Sequence, residues 1–408
     1  MRTIRTLPTR VWRPATLKFQ RQTHVSTRHL SATRTSRILL SIHCVVVSLA
    51  GVTAASDIPQ PLRAAYYHPD RIIRPNGTAE EHSSAIRQSL DRMKSSGFNA
   101  IFPYFTGSSG QAYYRGSIHK TRVYGDDDPL AELIVEARVR QLQVYPVICV
   151  SVCGNEHPAG ILLDHPDWGL RHPDGSPLGY ISPANPEARA WQASIAKEIG
   201  EKYRPDGIIL DYIRYHNRPL LLDVAADQRF RAKLPANVTA DDEKKLMQQF
   251  KEDELTELVR LYAEAVHGSQ VRLGIYSWGP HVAANHQIAQ CWLRWVKAGY
   301  LDLVNVSGYY HFDKYGEKYL ANFEEKMRSA VKLNEQTGRP VPLSFALGVE
   351  TSHGKVHSAD DIRIYLNKAA EAKLDGFAAF TWNTLVPYLD ELDQTNSIGG
   401  YQPKSAND

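Results

Sequence analysis

Residues 206–216, DGIILDYIRYH, decide the fold predicted for this chain. Ile208, Ile209 and Leu210 form a short apolar run that is typical of a strand buried on both faces, as in a parallel sheet. The run ends on a carboxylate, Asp211. Because side chains alternate along a strand, Asp211 shares a face with Ile209, and an ionised carboxylate in that position needs partners that stabilise its charge.

Short apolar runs of this kind recur along the chain, with helical patterns between them. The eight predicted strands are residues 63–68, 99–105, 144–150, 207–212, 272–278, 303–310, 342–350 and 376–382. One helix is predicted to end before Gly97, and another to begin with Asp128 as N-cap and Pro129 as first helical residue. Alternating strands and helices predict an α/β fold, a single closed (β/α)8 TIM barrel, with an open doubly wound sheet as the alternative.

The chain shows no internal linker, low-complexity tract or short repeat between residues 60 and 390, so one domain over this range is the simplest organisation. Residues 391–408 are predicted to be a C-terminal tail. Residues 216–239 form a long insertion after strand four, which we expect to lie over the mouth of the barrel.

The N-terminus has the composition of an export signal. Residues 1–38 contain Arg and Lys but no Asp or Glu, and the apolar stretch ILLSIHCVVVSLAGVTAAS (38–56) ends on small residues. Residues 1–55 are therefore predicted to direct export to the periplasm or the medium. An uncleaved anchoring helix is the alternative, and it is the only membrane contact expected. The formal net charge of +4 arises in this segment, so no nucleic-acid partner is expected.

Two carboxylates are expected to carry the chemistry. TIM-barrel enzymes present their reactive side chains at the C-terminal ends of the strands, where Asp211 lies. Arg214 is a nearby cation that favours the ionised form of Asp211. Glycosidic chemistry needs a second acid, and alternation along strand seven predicts that Glu350 points into the barrel. Asp313 after strand six and Glu156 after strand three are the rival candidates.

Aromatic and polar residues also concentrate at the predicted strand ends, where aromatic faces can stack on sugar rings and polar groups can bind hydroxyls. The predicted substrate-binding residues are Arg214, Tyr212, His68, Tyr104, Glu156, Trp278, Tyr309, His311, Asp313, Trp382 and Asn383. The sequence contains no Gly-rich phosphate loop, HExxH motif or paired CxxC, so neither a cofactor nor a metal site is predicted.

These patterns predict an exported glycoside hydrolase that acts on a carbohydrate substrate, an oligo- or polysaccharide. Asp211 is expected to be the nucleophile or base and Glu350 the acid, with Arg214 keeping Asp211 ionised. A carbohydrate-binding TIM barrel without turnover is the alternative.

Several longer stretches resemble the glycosyl hydrolase-like 10 family of bacterial proteins. They are DPLAELIVEARVRQLQVYPVI (128–148), HPDWGLRHPDGSPLGYISPANPEARAWQASIAKEIGEKYRPDGIILDYIRY (165–215), VRLGIYSWG (271–279), WLRWVKAGYLDLVNVSGYY (292–310) and DGFAAFTWNTL (375–385). The resemblance implies a glycosidase-like (β/α)8 barrel with Asp211 at the family's strand-four position and Arg214 beside it. At positions where many relatives carry a second acidic residue or a proline, this sequence has Tyr212 and His216.

Overall fold

The computed structural model describes residues 57–279 and 287–404, which belong to one unit, Thr53–Asp408. The predicted export segment, residues 1–55, lies outside the described residues. Within the described part of the chain, no helix has both the length and the apolar character needed to span a bilayer.

The chain alternates strands and helices over most of its length. The strands are β1 (Leu62–Tyr67), β2 (Ala100–Pro103), β3 (Gln143–Val144), β4 (Val147–Cys149), β5 (Val152–Asn155), β6 (Gly169–Arg171), β7 (Pro177–Ile181), β8 (Gly207–Asp211), β9 (Arg272–Ser277), β10 (Leu303–Ser307), β11 (Leu343–Gly348), β12 (Glu350–Thr351), β13 (Gly354–Lys355) and β14 (Gly376–Phe380). The described α-helices are α1 (Pro69–Ile72), α2 (Ala79–Ser95), α3 (Pro129–Val139), α4 (Ile161–Asp164), α5 (Pro186–Tyr203), α6 (Val224–Arg231), α7 (Ala240–His267), α8 (Trp292–Lys297), α9 (Phe312–Tyr315), α10 (Tyr319–Glu335), α11 (Ala359–Glu371), α12 (Trp382–Leu385) and α13 (Leu389–Gln394).

The parallel sheet has the order β3-β2-β1-β14-β11-β10-β9-β8-β4 and curls into a barrel. Its two end strands, β3 and β4, are pieces of the predicted third strand, interrupted at Tyr145 and Pro146, where proline has no N–H to donate to a ladder. Tyr104 at the end of β2 forms a parallel bridge with Val147 of β4, which closes the ring. The (β/α)8 TIM barrel is therefore confirmed over the open sheet.

Side chains of the barrel strands alternate between the interior and the helical layer. On β11, Phe345 packs edge-on against Phe323 of α10, with ring centroids 5.4 Å apart. Its neighbour Ser344 is fully buried and accepts a 2.8 Å hydrogen bond from the amide of Asn305. The Asn305 carbonyl accepts a 2.9 Å bond from the Tyr66 hydroxyl. A polar network inside the barrel thus joins β1, β10 and β11.

Asn305→Ala is expected to lower the free energy of unfolding by about 1–3 kcal/mol, because it removes the partner of the buried Tyr66 and Ser344 hydroxyls. Urea unfolding followed by tryptophan fluorescence measures this change. The matched control is Asn367→Ala on an exposed position of α11, where we expect a change within about 0.5 kcal/mol. Equal unfolding midpoints for the two variants would show that the network contributes nothing.

The long connection between β8 and β9 contains α6 and the 28-residue α7. Leu221 of the predicted insertion bridges Arg171 of β6, and the Asp223 carboxylate accepts a 2.6 Å bond from the Ser182 hydroxyl. This segment packs beside the small antiparallel sheet β5-β7-β6, which follows strand three and was not predicted. An insertion lying over the barrel mouth is not confirmed.

Helix ends follow the predicted chemistry in part. Gly97, after α2, has a φ of 89°, a left-handed conformation that suits glycine. Asp128 stands at the N-cap of α3, but its side chain makes no capping bond. It accepts hydrogen bonds from Lys202 and the Tyr203 hydroxyl instead.

Near the C-terminus, Tyr401 is buried and donates a 2.9 Å bond to the backbone carbonyl of Leu374.

Candidate active site

A cavity of about 810 Å³ lies at the C-terminal ends of the barrel strands. This is the face on which TIM barrels carry their active sites, and the volume is in the usual range of ligand-binding clefts, about 300–1,000 Å³. The predicted site residues that line it are Asp211, Tyr212, Arg214, His68, Tyr104, Trp278 and Tyr309. Lining residues that were not predicted include Asp70, Arg71, Cys149, Tyr276, Lys314 and His353.

Asp211 is the last residue of β8 and is only 7% exposed. Its Oδ2 accepts a 2.7 Å hydrogen bond from the Tyr104 hydroxyl, and its Oδ1 accepts a 2.7 Å bond from the backbone N–H of Tyr212. Burial raises the pKa of Asp211, and the two hydrogen bonds and the charge of Arg214 offset only part of this effect. The charge of Arg214 acts on the pKa of Asp211 in the predicted direction, and burial acts on it more strongly in the opposite direction.

The backbone next to Asp211 is strained. Tyr212 has a φ of 53°, in the left-handed region that residues with a Cβ rarely adopt, at a cost of about 1–2 kcal/mol. In this conformation its N–H bonds back to the Asp211 carboxylate. Strain of this kind concentrates at functional sites, so it marks Asp211 as a residue whose position matters.

Arg214 lies beside Asp211 without forming an ion pair with an Asp or Glu of the described residues. One guanidinium nitrogen donates a 3.2 Å bond to the backbone carbonyl of Tyr215. The guanidinium also lies over the Tyr212 and Trp278 rings, 4.9 and 6.0 Å from their centroids. Two aromatic faces thus hold an arginine at the cavity wall.

His68 stacks on Tyr104, with ring centroids 4.3 Å apart and an interplanar angle of 13°. Burial lowers the pKa of His68, so its imidazole is neutral at pH 7. In a neutral imidazole one ring nitrogen donates a hydrogen bond and the other accepts one. Burial and then the charge of Asp211 raise the pKa of Tyr104 well above its ordinary value. The Asp211 carboxyl therefore accepts a hydrogen bond from a neutral Tyr104, on which the neutral His68 stacks.

Asp70 supplies a second carboxylate to the same cavity. It belongs to α1, directly after β1, and its Oδ1 is buried without a hydrogen-bond partner among the described residues. An orphaned buried oxygen is costly, which indicates that a ligand or water normally satisfies it. Asp70 was not predicted, although it follows His68 by two residues at the end of strand one, where TIM barrels carry reactive side chains.

Glu350 does not point into the barrel as predicted. Strand β11 ends at Gly348, and Glu350 begins the short hairpin β12–β13, where it is exposed and pairs in register with Lys355. The alternation that held for Ser344 therefore does not extend to Glu350. Among the described residues that line the cavity, Glu350 is absent.

The two rival acids also lie away from the cavity lining that the structure describes. Glu156 forms a 2.8 Å ion pair with Arg218 on the surface. Asp313 accepts a 3.3 Å hydrogen bond from the backbone N–H of Lys355 and is about half exposed. Both follow their strands by several residues, where the alternation rule gives no direction.

Besides Glu156 and Asp313, three further predicted binding residues are not in the described lining of the cavity. Burial lowers the pKa of His311 to about 4, and its Nε2 has no partner among the described residues. Trp382 is buried against Phe98, with ring centroids 5.8 Å apart. Asn383 accepts a 2.7 Å bond from the Thr381 hydroxyl. No cluster of three or more His, Cys, Asp or Glu within the described residues could hold a metal ion.

A closed TIM barrel with two acidic residues in an aromatic cavity at its C-terminal face has the architecture of the glycoside hydrolase-like barrels. The sequence model of the family Glycosyl hydrolase-like 10 matches residues 67–351. The chain therefore belongs to this family. A search of the curated proteins found no match.

Solved structures share the fold at low sequence identity. The PgaB (BpsB) glycoside hydrolase domain from Bordetella bronchiseptica has a TM-score of 0.62 and 16% identity, covering 85% of this chain and 100% of that chain. A β-galactosidase from Rahnella has a TM-score of 0.60 and 13% identity, covering 85% of this chain and 56% of that chain. The α-L-fucosidase isoenzyme 2 from Paenibacillus thiaminolyticus has a TM-score of 0.56 and 12% identity, covering 81% and 49%. This chain spans about half the length of the last two structures, and at these identities the likeness shows the fold.

Proposed function

We propose that this protein is an exported glycoside hydrolase that cleaves O-glycosidic bonds in an oligo- or polysaccharide. The observation that carries the proposal is the presence of two carboxyl groups, Asp211 and Asp70, in one cavity at the catalytic face of the barrel. Membership of a glycosyl hydrolase-like family supports it. The solved structures described as glycoside hydrolase, galactosidase and fucosidase support it further.

The environments of the two carboxyl groups suggest different roles. Glycoside hydrolysis needs one protonated carboxyl and one carboxylate across the scissile bond. The raised pKa of Asp211, caused by burial, suits the general acid that protonates the leaving oxygen as the C–O bond breaks. Asp70, whose Oδ1 has no partner among the described residues, suits the carboxylate that activates water or attacks the anomeric carbon.

The remaining lining suits a sugar ring. Phe380 and Tyr309 lie with ring centroids 5.6 Å apart, and Tyr276 lies 5.9 Å from Tyr309. All three contribute to the cavity wall. Aromatic faces of this kind stack on the C–H faces of sugars, while their hydroxyls and the neutral His68 can bind sugar hydroxyls.

A panel of purified glycans incubated with the protein tests this proposal, with the release of new reducing ends as the readout. A hydrolase releases reducing ends from at least one member. Binding of a glycan without any release would favour the alternative, a carbohydrate-binding barrel without turnover.

Tyr104→Phe is expected to move the alkaline limb of the kcat/KM profile to higher pH. The Tyr104 hydroxyl donates to Asp211 and lowers its pKa, so its removal raises that pKa further and keeps the general acid protonated longer. The control is Tyr315→Phe, which removes a hydroxyl from the same cavity. An alkaline limb that stays in place or moves to lower pH would contradict the assignment of Asp211 as the acid.

A further inference from the structure

Three cationic side chains line the cavity: Arg71 after β1, Arg214 after β8 and Lys314 in α9. In the part of the chain that the structure describes, none of the three forms an ion pair with an Asp or Glu. Arg218, which is outside the described lining, forms a 2.8 Å ion pair with Glu156. The cations in the cavity are therefore available to a ligand.

The charges that face one another in the cavity do not cancel. Three cations face two carboxylates, so the lining has a net charge of +1 with both carboxylates ionised and +2 when Asp211 holds a proton. Burial lowers the pKa values of His68 and His353, which makes both neutral at pH 7. Residues 280–286, outside the described part of the chain, contain no Asp or Glu. Because the chain after residue 38 is acidic overall, this local excess of positive charge is distinct from the background.

Arg214 is the best placed of the three to recognise an anion. Both oxygens of its neighbour Asp211 already accept hydrogen bonds, from Tyr104 and Tyr212, so the guanidinium is not needed as their donor. Its orientation is restricted by the Tyr212 and Trp278 rings and by the bond to Tyr215. A held guanidinium with unused N–H donors matches the two oxygens of a carboxylate or sulfate group.

The geometry points to an anionic polysaccharide as the substrate, one whose sugars carry carboxylate or sulfate groups. This inference rests on the proposed function, because it takes the cavity to bind carbohydrate. Arg214 binds the anionic group of a sugar next to Asp211. Arg71 and Lys314, which follow different strands of the barrel, bind anionic groups of neighbouring sugars.

Affinity electrophoresis with matched polysaccharide pairs tests the inference. One pair is polygalacturonate and its carboxyl-reduced form, and the other is chondroitin sulfate and its desulfated form. We expect the protein to bind at least one native polymer about tenfold or more tightly than its neutralised or desulfated partner, and to lose this preference at high salt. The pair that shows the preference distinguishes a carboxylate-bearing from a sulfate-bearing substrate.

Matched variants test whether the preference for anionic polymers arises from the cations of the cavity. The double variant Arg71→Met with Lys314→Met removes two exposed cations of the cavity and is expected to weaken binding of the preferred polymer about tenfold or more. The control, Arg74→Met with Lys318→Met, removes the same charge from exposed positions outside the described lining and should leave binding unchanged. Melting temperatures of both double variants verify that they are folded.

Equal binding of native and neutralised polymers by the wild-type protein, or equal losses in the two double variants, would overturn the inference. The results also distinguish a failure of this inference from a failure of the proposed function. Hydrolysis of neutral glycans without any preference for charge would contradict the anionic substrate and would still support a glycoside hydrolase. Charge-dependent binding without release of reducing ends would contradict the hydrolase and would still support an anionic ligand.

Discussion

Asp211→Asn is expected to lower kcat for glycan hydrolysis by about 10²–10⁴-fold, the usual contribution of a positioned general acid. The substitution keeps the shape of the side chain and removes its transferable proton and its ability to ionise. The amide oxygen of the variant can accept from the Tyr212 N–H, and its amide nitrogen can donate to the Tyr104 oxygen, because a tyrosine hydroxyl both donates and accepts. Initial rates with the most reactive glycan of the panel measure the effect.

The same variant should be at least as stable as the wild type at neutral pH. Burial raises the pKa of Asp211 above its ordinary value of 3.8, so the folded state binds this proton more tightly than the unfolded state. The wild type loses this contribution to its stability as pH rises from 3.8 through the raised folded pKa, whereas an amide does not titrate. Melting temperatures at pH 4 and pH 8 check the sign. A kcat near that of the wild type would remove Asp211 from the mechanism, and a variant that melts far below the wild type at pH 8 would show that the carboxylate is mainly structural.

Asp70→Asn is expected to cause a loss of similar size, about 10²–10⁴-fold in kcat, because it removes the carboxylate that faces the sugar or the attacking water. Azide is a small nucleophile that can attack the anomeric carbon when the carboxylate of Asp70 is missing. Formation of a glycosyl azide by Asp70→Asn, detected by mass spectrometry, would identify that role directly. Azide attacks the anomeric carbon from the face opposite the leaving group in either case, so the anomeric configuration of the wild-type product, retained or inverted, is what distinguishes a nucleophile from a base.

Glu350→Gln and Asp313→Asn are the matched controls for Asp70→Asn. Each removes one carboxylate near the barrel mouth that is exposed and absent from the described lining of the cavity. Both variants should keep the activity of the wild type. If Glu350→Gln lost activity as strongly as Asp211→Asn while Asp70→Asn kept it, the pairing of Asp211 with Asp70 would be wrong.

The barrel could be predicted from the sequence because its strands have a simple signature. Ile208, Ile209 and Leu210 form one of several short apolar runs separated by amphipathic helices, and this repetition has few solutions other than a (β/α)8 barrel. Asp211 could be located because it stands within the regular strand, where alternation fixes its direction. The split of the third strand at Pro146 changed its hydrogen bonding without changing its place in the ring.

The second carboxylate could not be located in this way. Alternation predicts an inward Glu350 only if the strand continues to it. Strand β11 ends two residues earlier, and beyond a strand end the hairpin geometry determines where side chains point. Asp70 lies in the first turn after β1, where no periodic rule applies. The left-handed conformation of Tyr212 also could not be predicted, because such a conformation is usually expected only at glycine. Loops and strand ends depend on tertiary contacts that local sequence patterns do not encode.

The most direct measurement of the central claim is hydrolysis in oxygen-18-labelled water. Wild-type protein and Asp211→Asn are incubated with the glycan panel, and the released sugars are analysed by mass spectrometry. If Asp211 donates a proton to a glycosidic oxygen in this cavity, wild-type products carry one labelled oxygen at the new reducing end, and Asp211→Asn yields almost none. The absence of labelled products with the folded wild type, or equal amounts from both proteins, would contradict it.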